Sequence, residues 1–181
     1  MEHTTDVLVI GAGPTGLTLA SELLHHGLKV RVVDQTETPT TWSRAIGVHA
    51  RSLEILREMG VADALIARGQ KLHGATLWSG GETLARLDFA ELDTAYPFLL
   101  AVPQPDTEAV LHDLLVARGA EVERGVALRS FRQDGTGVTA VLAKGDATET
   151  VRAAWMVAWK LAAVHHGVAR DRLLASYHDE R

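Results

Sequence analysis

The chain has 181 residues, 46% of them hydrophobic, and its 18 basic and 23 acidic residues give a formal net charge of −5. This size and composition are typical of one globular domain. The sequence has no basic patch interleaved with aromatic residues, which argues against a nucleic-acid-binding protein. The absence of cysteine excludes disulfides, thiolate metal ligands and a cysteine nucleophile. The first apolar run, residues 7–10, is too short for a signal peptide or a membrane span, so we expect a soluble, cytoplasmic protein.

The opening part of the chain predicts a strand, a helix and a second strand. Residues 7–10 form a β-branched run that stops at Gly11, which is typical of a buried strand. Apolar residues then recur at helical spacing over residues 14–26, and Gly27 follows where a helix often ends. Residues 28–34 alternate and are rich in valine. This order predicts a βαβ unit with a parallel sheet.

The remaining elements mix helices with short strands. Helical patterns cover residues 50–68 with a break at Gly60, 106–118, 159–166 and 170–178. Residues 75–89 predict a β-hairpin, because the pair Gly80 and Gly81 supplies the positive φ of a primed turn. Three β-like runs predict a small antiparallel meander, at residues 121–132, 137–143 and 148–157. The predicted fold class is α/β, a Rossmann-like domain with a mainly parallel sheet, flanking helices and this β meander.

The strongest motif follows the first predicted strand and opens the first helix, and it reads Gly11-Ala12-Gly13-Pro14-Thr15-Gly16. In a G-x-G-x-x-G turn, Gly11 permits the tight turn, Gly13 lets the backbone approach a pyrophosphate, and Gly16 allows the helix to pack closely on the strand. Asp34 ends the second strand, where a carboxylate binds a ribose hydroxyl and disfavours a 2′-phosphate. The pattern predicts a bound adenine dinucleotide, either FAD or NAD, against a glycine-rich turn of another α/β fold.

Three segments resemble the class A flavoprotein monooxygenases: residues 11–34, residues 43–54 (SRAIGVHARSLE), and residues 97–100 together with Gln104 and Glu108. Within that family the chain is most similar to actinobacterial hydroxylases of aromatic polyketides and of rifamycin-type antibiotics. The resemblance covers residues 5–158. It implies tightly bound FAD, with NADPH or NADH as a transient reductant, and a small aromatic substrate.

The resemblance also implies roles for particular residues. Asp34 would hold the adenosine ribose of FAD, Arg44 would lie beside the flavin and its pyrophosphate, and Gln104 would meet the ribityl or pyrophosphate region. The backbone of Leu128 would meet the adenine. A guanidinium near a flavin offsets the diphosphate charge. Alternatively, Arg44 is an ordinary solvated arginine and Gln104 is a helix cap before Pro105. No catalytic residue is assigned, and the adjacent histidine pairs lack the i, i+4 spacing of a metal site.

The resemblance breaks after Ala158. In the family, a strand like residues 153–158 runs into an Asp-Gly motif that contacts FAD, whereas Trp159 follows here. Residues 159–181 instead resemble helices that lie after a later Gly-Asp motif. We therefore expect residues 1–158 to be the N-terminal part of an FAD-binding domain and residues 159–181 a C-terminal helical segment of the same domain, with the substrate-binding domain missing.

The expected function is that of the FAD-binding domain of an NAD(P)H-dependent monooxygenase that hydroxylates aromatic, polyketide-like or phenolic substrates, incomplete as it stands. Two alternatives stay open. The first is a noncatalytic FAD-binding or interaction module, which the missing motifs favour. The second is a small NAD-dependent reductase, although neither Tyr96 nor Tyr177 is followed by the lysine of a Tyr-x-x-x-Lys pair.

Overall fold

The computed structural model describes residues 3–43 and 46–158. The helices are α1 (Pro14–His25), α2 (Ala50–Glu58), α3 (Ala62–Ile66) and α4 (Gln104–Ala117). The strands are β1 (His3–Ile10), β2 (Val30–Asp34), β3 (Gly47–Val48), β4 (Gln70–Leu72), β5 (Gly74–Ser79), β6 (Glu82–Asp88), β7 (Leu99–Ala101), β8 (Val122–Arg124), β9 (Ala127–Asp134), β10 (Gly137–Lys144) and β11 (Ala147–Ala158). The chain divides into two compact units, the first made of Met1–Pro39 and His112–Arg181 and the second of Thr40–Leu111.

A six-stranded sheet organises the first unit, in the order β8-β2-β1-β11-β10-β9. The pairs β8–β2, β2–β1 and β1–β11 are parallel, and the pairs β11–β10 and β10–β9 are antiparallel. Parallel strands need a crossover, and α1 supplies it between β1 and β2. The α/β prediction with a mainly parallel sheet is therefore confirmed.

The core of this unit lies on the sheet. Leu8 and Val33 are fully buried in one apolar cluster with Val138, Val151 and other residues of the antiparallel strands. Their neighbour Val9 is equally buried but points toward α1, since successive side chains of a strand face opposite sides of the sheet. Both faces of β1 are thus covered, which explains why its sequence is continuously apolar rather than alternating.

A salt-bridge cluster joins three strands of the same sheet, β2, β8 and β11. Arg31 on β2 donates its Nε to Glu123 Oε1 on β8 at 2.6 Å, and its Nη2 also bonds Glu149 on β11. The strand between them, β1, contributes Thr5 to the cavity of about 460 Å³ beside these groups. Hydrogen bonding to Glu123 raises the pKa of Arg31 against the opposing effect of burial. The cluster therefore links side chains of β8 and β11 through Arg31 on β2.

The meander prediction needs two corrections. Residues 121–132, expected as one run, form two strands, because Gly125 has a φ of 70° and turns the chain between β8 and β9. β8 then pairs with β2 while β9 pairs with β10. The meander is also part of the main sheet, since β11 pairs with β10 on one side and β1 on the other.

The second unit contains small elements around short ladders. Its three-stranded sheet has the order β3-β7-β4, and its hairpin β5–β6 turns at Gly80 and Gly81, whose φ values are 61° and 84°. The hairpin prediction is confirmed, as is the break between α2 and α3 at Gly60. The three-stranded sheet was not predicted, because strands of two or three residues carry no alternating pattern.

Two expectations concern residues outside the described ranges. The helices predicted at residues 159–166 and 170–178 lie there, as does Arg44. Among the residues that are described, no helix is long and apolar enough to cross a bilayer.

Candidate functional site

The glycine turn closes the carboxyl end of β1. Gly11 has a φ of 102°, which favours glycine, and its backbone N–H donates to Val33 O on β2 at 2.8 Å. At Gly16 a Cβ would lie 2.0 Å from the Gly11 carbonyl oxygen, closer than any side chain could be accommodated. Two positions of the predicted motif thus require glycine: Gly11 because of its backbone conformation, and Gly16 because the Gly11 carbonyl leaves no room for a Cβ.

The helix that follows begins beside this turn. Gly13 is the N-cap of α1 and Pro14 is at its first position, where a missing N–H costs nothing. Among the described residues no side chain caps this N-terminus. Backbone N–H groups of a first helical turn, together with the helix dipole, attract an anion. Exposed Thr15 and its neighbours therefore form a place where a pyrophosphate can bind.

Asp34 joins the glycine turn to the end of β2. Its Oδ2 accepts the backbone N–H of Ala12 at 2.7 Å, and its Oδ1 accepts the N–H of Thr36 at 2.8 Å and the Thr36 hydroxyl at 2.6 Å. The side chain is 15% exposed. The carboxylate is therefore fixed on one side by the turn and on the other by the residue two positions later.

The same contacts decide the charge of Asp34. Partial burial raises the pKa of its carboxyl, but the hydrogen bonds from the Thr36 hydroxyl and the Ala12 N–H, with the nearby Arg124, outweigh burial and lower the pKa below its usual value. Asp34 is therefore ionised at neutral pH and accepts hydrogen bonds only. An ionised acceptor beside an anion-binding turn suits a ribose diol adjacent to a diphosphate.

Arg124 is a member of this site that the sequence analysis did not identify. It ends β8 opposite Asp34 in the parallel ladder, and its Nη1 lies 3.7 Å from Asp34 Oδ2. The chain then turns at Gly125, whose N–H donates to Thr36 O at 3.2 Å. No local pattern marks Arg124, because its position depends on the pairing of two strands far apart in the sequence.

Comparison with known protein families matches residues 4–158 to the family described as FAD binding domain. The chain belongs to this family. The 6-methylpretetramide 4-monooxygenase of Streptomyces rimosus is 43% identical over 153 residues, which are 83% of this chain and 28% of that protein. The rifampicin monooxygenase of Streptomyces venezuelae is 43% identical over 152 residues, 84% of this chain and 31% of that protein.

A solved structure agrees with these relatives. The anhydrotetracycline hydroxylase OxyS from Streptomyces rimosus superposes with a TM-score of 0.78 at 38% identity, over 86% of this chain and 31% of that one. This FAD-binding domain therefore spans about three tenths of the length of the relatives it matches. The resemblance to polyketide and rifamycin hydroxylases is confirmed, and the cofactor of the family is FAD.

Gln104 lies in the second unit of the FAD-binding domain, at the first residue of α4. Its backbone N–H donates to Ser43 Oγ at 3.2 Å, and its side-chain Nε2 donates to buried Glu108 Oε1 at 2.7 Å. The side-chain amide thus contacts a carboxylate one turn further along the helix. Its contact with the ribityl or pyrophosphate region stays a prediction.

Leu128 and Arg44 complete the predicted set. Leu128 lies on β9, paired with Leu142, and packs partly buried against the core cluster of the sheet. Val126, two residues before Leu128, donates its backbone N–H to Asp34 O at 3.0 Å. A contact of Leu128 with adenine stays a prediction, and Arg44 falls outside the described residues.

Proposed function

We propose that this domain binds FAD with its glycine turn, the N-terminus of α1 and Asp34, and that it serves a monooxygenase that hydroxylates a small aromatic substrate at the expense of NAD(P)H. The relatives named above act, by their names, on pretetramide and rifampicin, and a further relative from Sphingobium chlorophenolicum acts on pentachlorophenol. A polyketide-like or phenolic substrate fits this set. NAD(P)H is an intracellular reductant, which agrees with the cytoplasmic location expected from the sequence.

One observation carries the cofactor assignment. The carboxylate of Asp34 accepts a hydrogen bond from the N–H of Ala12, inside the glycine turn. This bond connects the ribose-binding residue of a dinucleotide site directly to its pyrophosphate-binding turn. Because the chain belongs to the FAD binding domain family, we assign FAD rather than NAD to the site formed by the glycine turn and Asp34.

The residues of this chain supply binding, and the bound flavin supplies the redox chemistry. Gly11 and Gly16 keep the turn open to the diphosphate, and the α1 N-terminus offsets its negative charge. Asp34 orients the adenosine end through the ribose. Gln104 and Arg44 would act at the flavin end, and Leu128 would contact the adenine.

A binding experiment tests the cofactor assignment. Purified protein is mixed with FAD, desalted and examined by absorbance, and a parallel sample is titrated with NAD. We expect a yellow protein whose flavin is retained on the column and no saturable binding of NAD. A colourless protein that binds NAD with micromolar affinity would support the reductase alternative instead.

A second experiment tests the proposed activity of the 181-residue chain. Since the chain spans about three tenths of its relatives' length, we expect it to consume NAD(P)H wastefully, because a phenol that is not positioned at the flavin reacts slowly. NADPH consumed, peroxide released and hydroxylated product are counted for a panel of phenols and naphthoquinones. Product nearly equal to the NADPH consumed, from protein of the correct mass, would contradict this expectation.

A further inference from the structure

Arg124 lies beside the ribose-binding carboxylate without forming a hydrogen bond to it. Its Nη1 donates to Thr36 Oγ1 at 3.3 Å and stops 3.7 Å from Asp34 Oδ2, beyond hydrogen-bond distance. The side chain is 20% exposed, so it is held close to the protein rather than extended into water. A guanidinium has five N–H donors, and this contact uses one of them.

The acceptors of Asp34 are unevenly occupied. Oδ1 accepts two hydrogen bonds, both from Thr36, whereas Oδ2 accepts one, from Ala12. A carboxylate oxygen has room for about two such bonds. The oxygen with remaining capacity is therefore Oδ2, the one that faces Arg124. A donor-rich cation and an acceptor with spare capacity stand next to each other, separated by slightly more than a direct bond.

A ribose hydroxyl is the group that matches this pair. Its hydrogen can be donated to a carboxylate while its oxygen accepts from a guanidinium, so one hydroxyl satisfies both. We propose that Arg124 binds the adenosine ribose of FAD together with Asp34, the 2′-hydroxyl donating to Asp34 and accepting from Arg124. This inference rests on the proposed function, because it requires the nucleotide to occupy the glycine turn.

The alternative role of Arg124 is purely structural, as a support for Asp34 and Thr36. The two roles differ in one measurable respect. A residue that binds the hydroxyl loses its effect when the hydroxyl is removed from the ligand, whereas a support weakens every ligand equally. Comparing ADP with 2′-deoxy-ADP therefore separates them.

The chain offers a matched control in Arg152. Its Nη2 donates to Thr136 Oγ1 at 2.7 Å, and Thr136 in turn donates to Asp134. The arginine, threonine and aspartate thus repeat the contacts of the proposed site, but without a glycine turn bonded to the carboxylate. Arg152→Gln removes the same kind of charge from the same kind of partner.

The experiment measures dissociation constants of ADP and 2′-deoxy-ADP for the 181-residue chain, by displacement of FAD. We expect the unaltered protein to prefer ADP by roughly 100-fold, because the hydroxyl bonds both Asp34 and Arg124 and each charge-assisted hydrogen bond is worth about tenfold. Arg124→Gln should weaken ADP about tenfold and leave 2′-deoxy-ADP nearly unchanged, so that the preference falls about tenfold and only the part due to Asp34 remains. Arg152→Gln should keep the full preference.

Each other result has a definite meaning. If Arg124→Gln weakens both nucleotides equally, or neither, Arg124 does not bind the ribose and the inference is wrong. If the unaltered chain binds neither FAD nor ADP, the proposed function fails first, which is a distinguishable result. Should Arg124→Gln not fold by circular dichroism, Arg124→Lys provides the comparison: a partial loss of the preference supports the inference, and an unchanged preference overturns it.

Discussion

Two regions of the first unit contain nearly the same local structure. Asp34 and Asp134 each accept the N–H and the hydroxyl of the threonine two residues later, at 2.8 Å and 2.6 Å in both cases. Each threonine hydroxyl also accepts a hydrogen bond from an arginine, which is Arg124 in the first region and Arg152 in the second. The difference is outside this motif. Asp34 is partly buried and bonds Ala12 of the glycine turn, whereas Asp134 is exposed at the turn between β9 and β10.

The comparison teaches that the aspartate-threonine contact itself carries no function. It stabilises a turn, because the short aspartate side chain accepts a hydrogen bond from the backbone N–H two residues later. The function proposed for Asp34 comes from the additional bond to a turn that can bind a diphosphate. Substitutions made in pairs, one in each region, therefore separate the effect of the aspartate-threonine turn contact on FAD affinity from the effect of the nucleotide site.

The largest expected effect is at the glycines. In Gly16→Ala the new Cβ would lie 2.0 Å from the Gly11 carbonyl oxygen, so the turn must shift. We expect FAD affinity to fall by about 100-fold or more, since several hydrogen bonds to the diphosphate are lost together. The control is Gly135→Ala in the second region, where a Cβ meets nothing within 4 Å. Flavin titration with circular dichroism measures both; a folded Gly16→Ala protein with normal affinity would show that this turn does not bind the cofactor.

The next effect concerns the carboxylates. Asp34→Asn removes the charge and one acceptor from the site, and we expect FAD affinity to fall by roughly 10- to 30-fold. Asp134→Asn should leave affinity unchanged within about twofold, because it alters only an exposed turn. Equal losses in the two variants, measured by the same titration, would contradict the separation of the two regions.

A smaller effect is expected from the threonines. Thr36→Val keeps the shape of the side chain but removes the hydroxyl that donates to Asp34 and accepts from Arg124. Because the Thr36 N–H still bonds Asp34, we expect about a threefold loss of FAD affinity. Thr136→Val should produce none. If Thr36→Val matched Asp34→Asn in effect, the hydroxyl rather than the carboxylate would be the main determinant.

The smallest effect is expected from pH. Contacts lower the pKa of both Asp34 and Asp134, so each carboxylate stays ionised as the pH falls from 7 to about 4, the usual aspartate value. The stabilisation from a lowered pKa is fully present above that value and is lost only as the pH falls below it. We expect FAD affinity to change by less than about twofold between pH 7 and pH 5. A steep loss in this range that Asp34→Asn abolishes would show an Asp34 pKa that is raised instead.

The parts of the fold that could be predicted have strong local patterns. Continuous apolar character identified β1, helical spacing identified α1, and paired glycines identified the β5–β6 turn. The strands β3, β4 and β7 could not be predicted, because each has at most three residues and depends on its partners for definition. Gly125 was visible in the sequence, but only the opposite pairing of β8 and β9 shows that it separates two strands.

The site divides in the same way. The glycine turn and Asp34 could be predicted, since their spacing along the chain follows from one βαβ unit. Thr36 was missed, although an aspartate two residues before a threonine is a common turn pattern that could have identified it. Arg124 could not be found from any local pattern, because it reaches Asp34 through the β2–β8 ladder. The pairing of two strands that are far apart in the sequence cannot be recognised from the residues that flank Arg124.

The position of β1 in the sheet affects how the protein is made. β1 lies between β2, which follows soon after it, and β11, which is the last described strand. During synthesis the ribosome must therefore release nearly all of the described chain before β1 has both neighbours. Contacts so distant in sequence are formed slowly, and an unpaired strand edge is prone to self-association in the meantime. The nascent chain thus exposes the β11-facing edge of β1 until translation of β11 is complete.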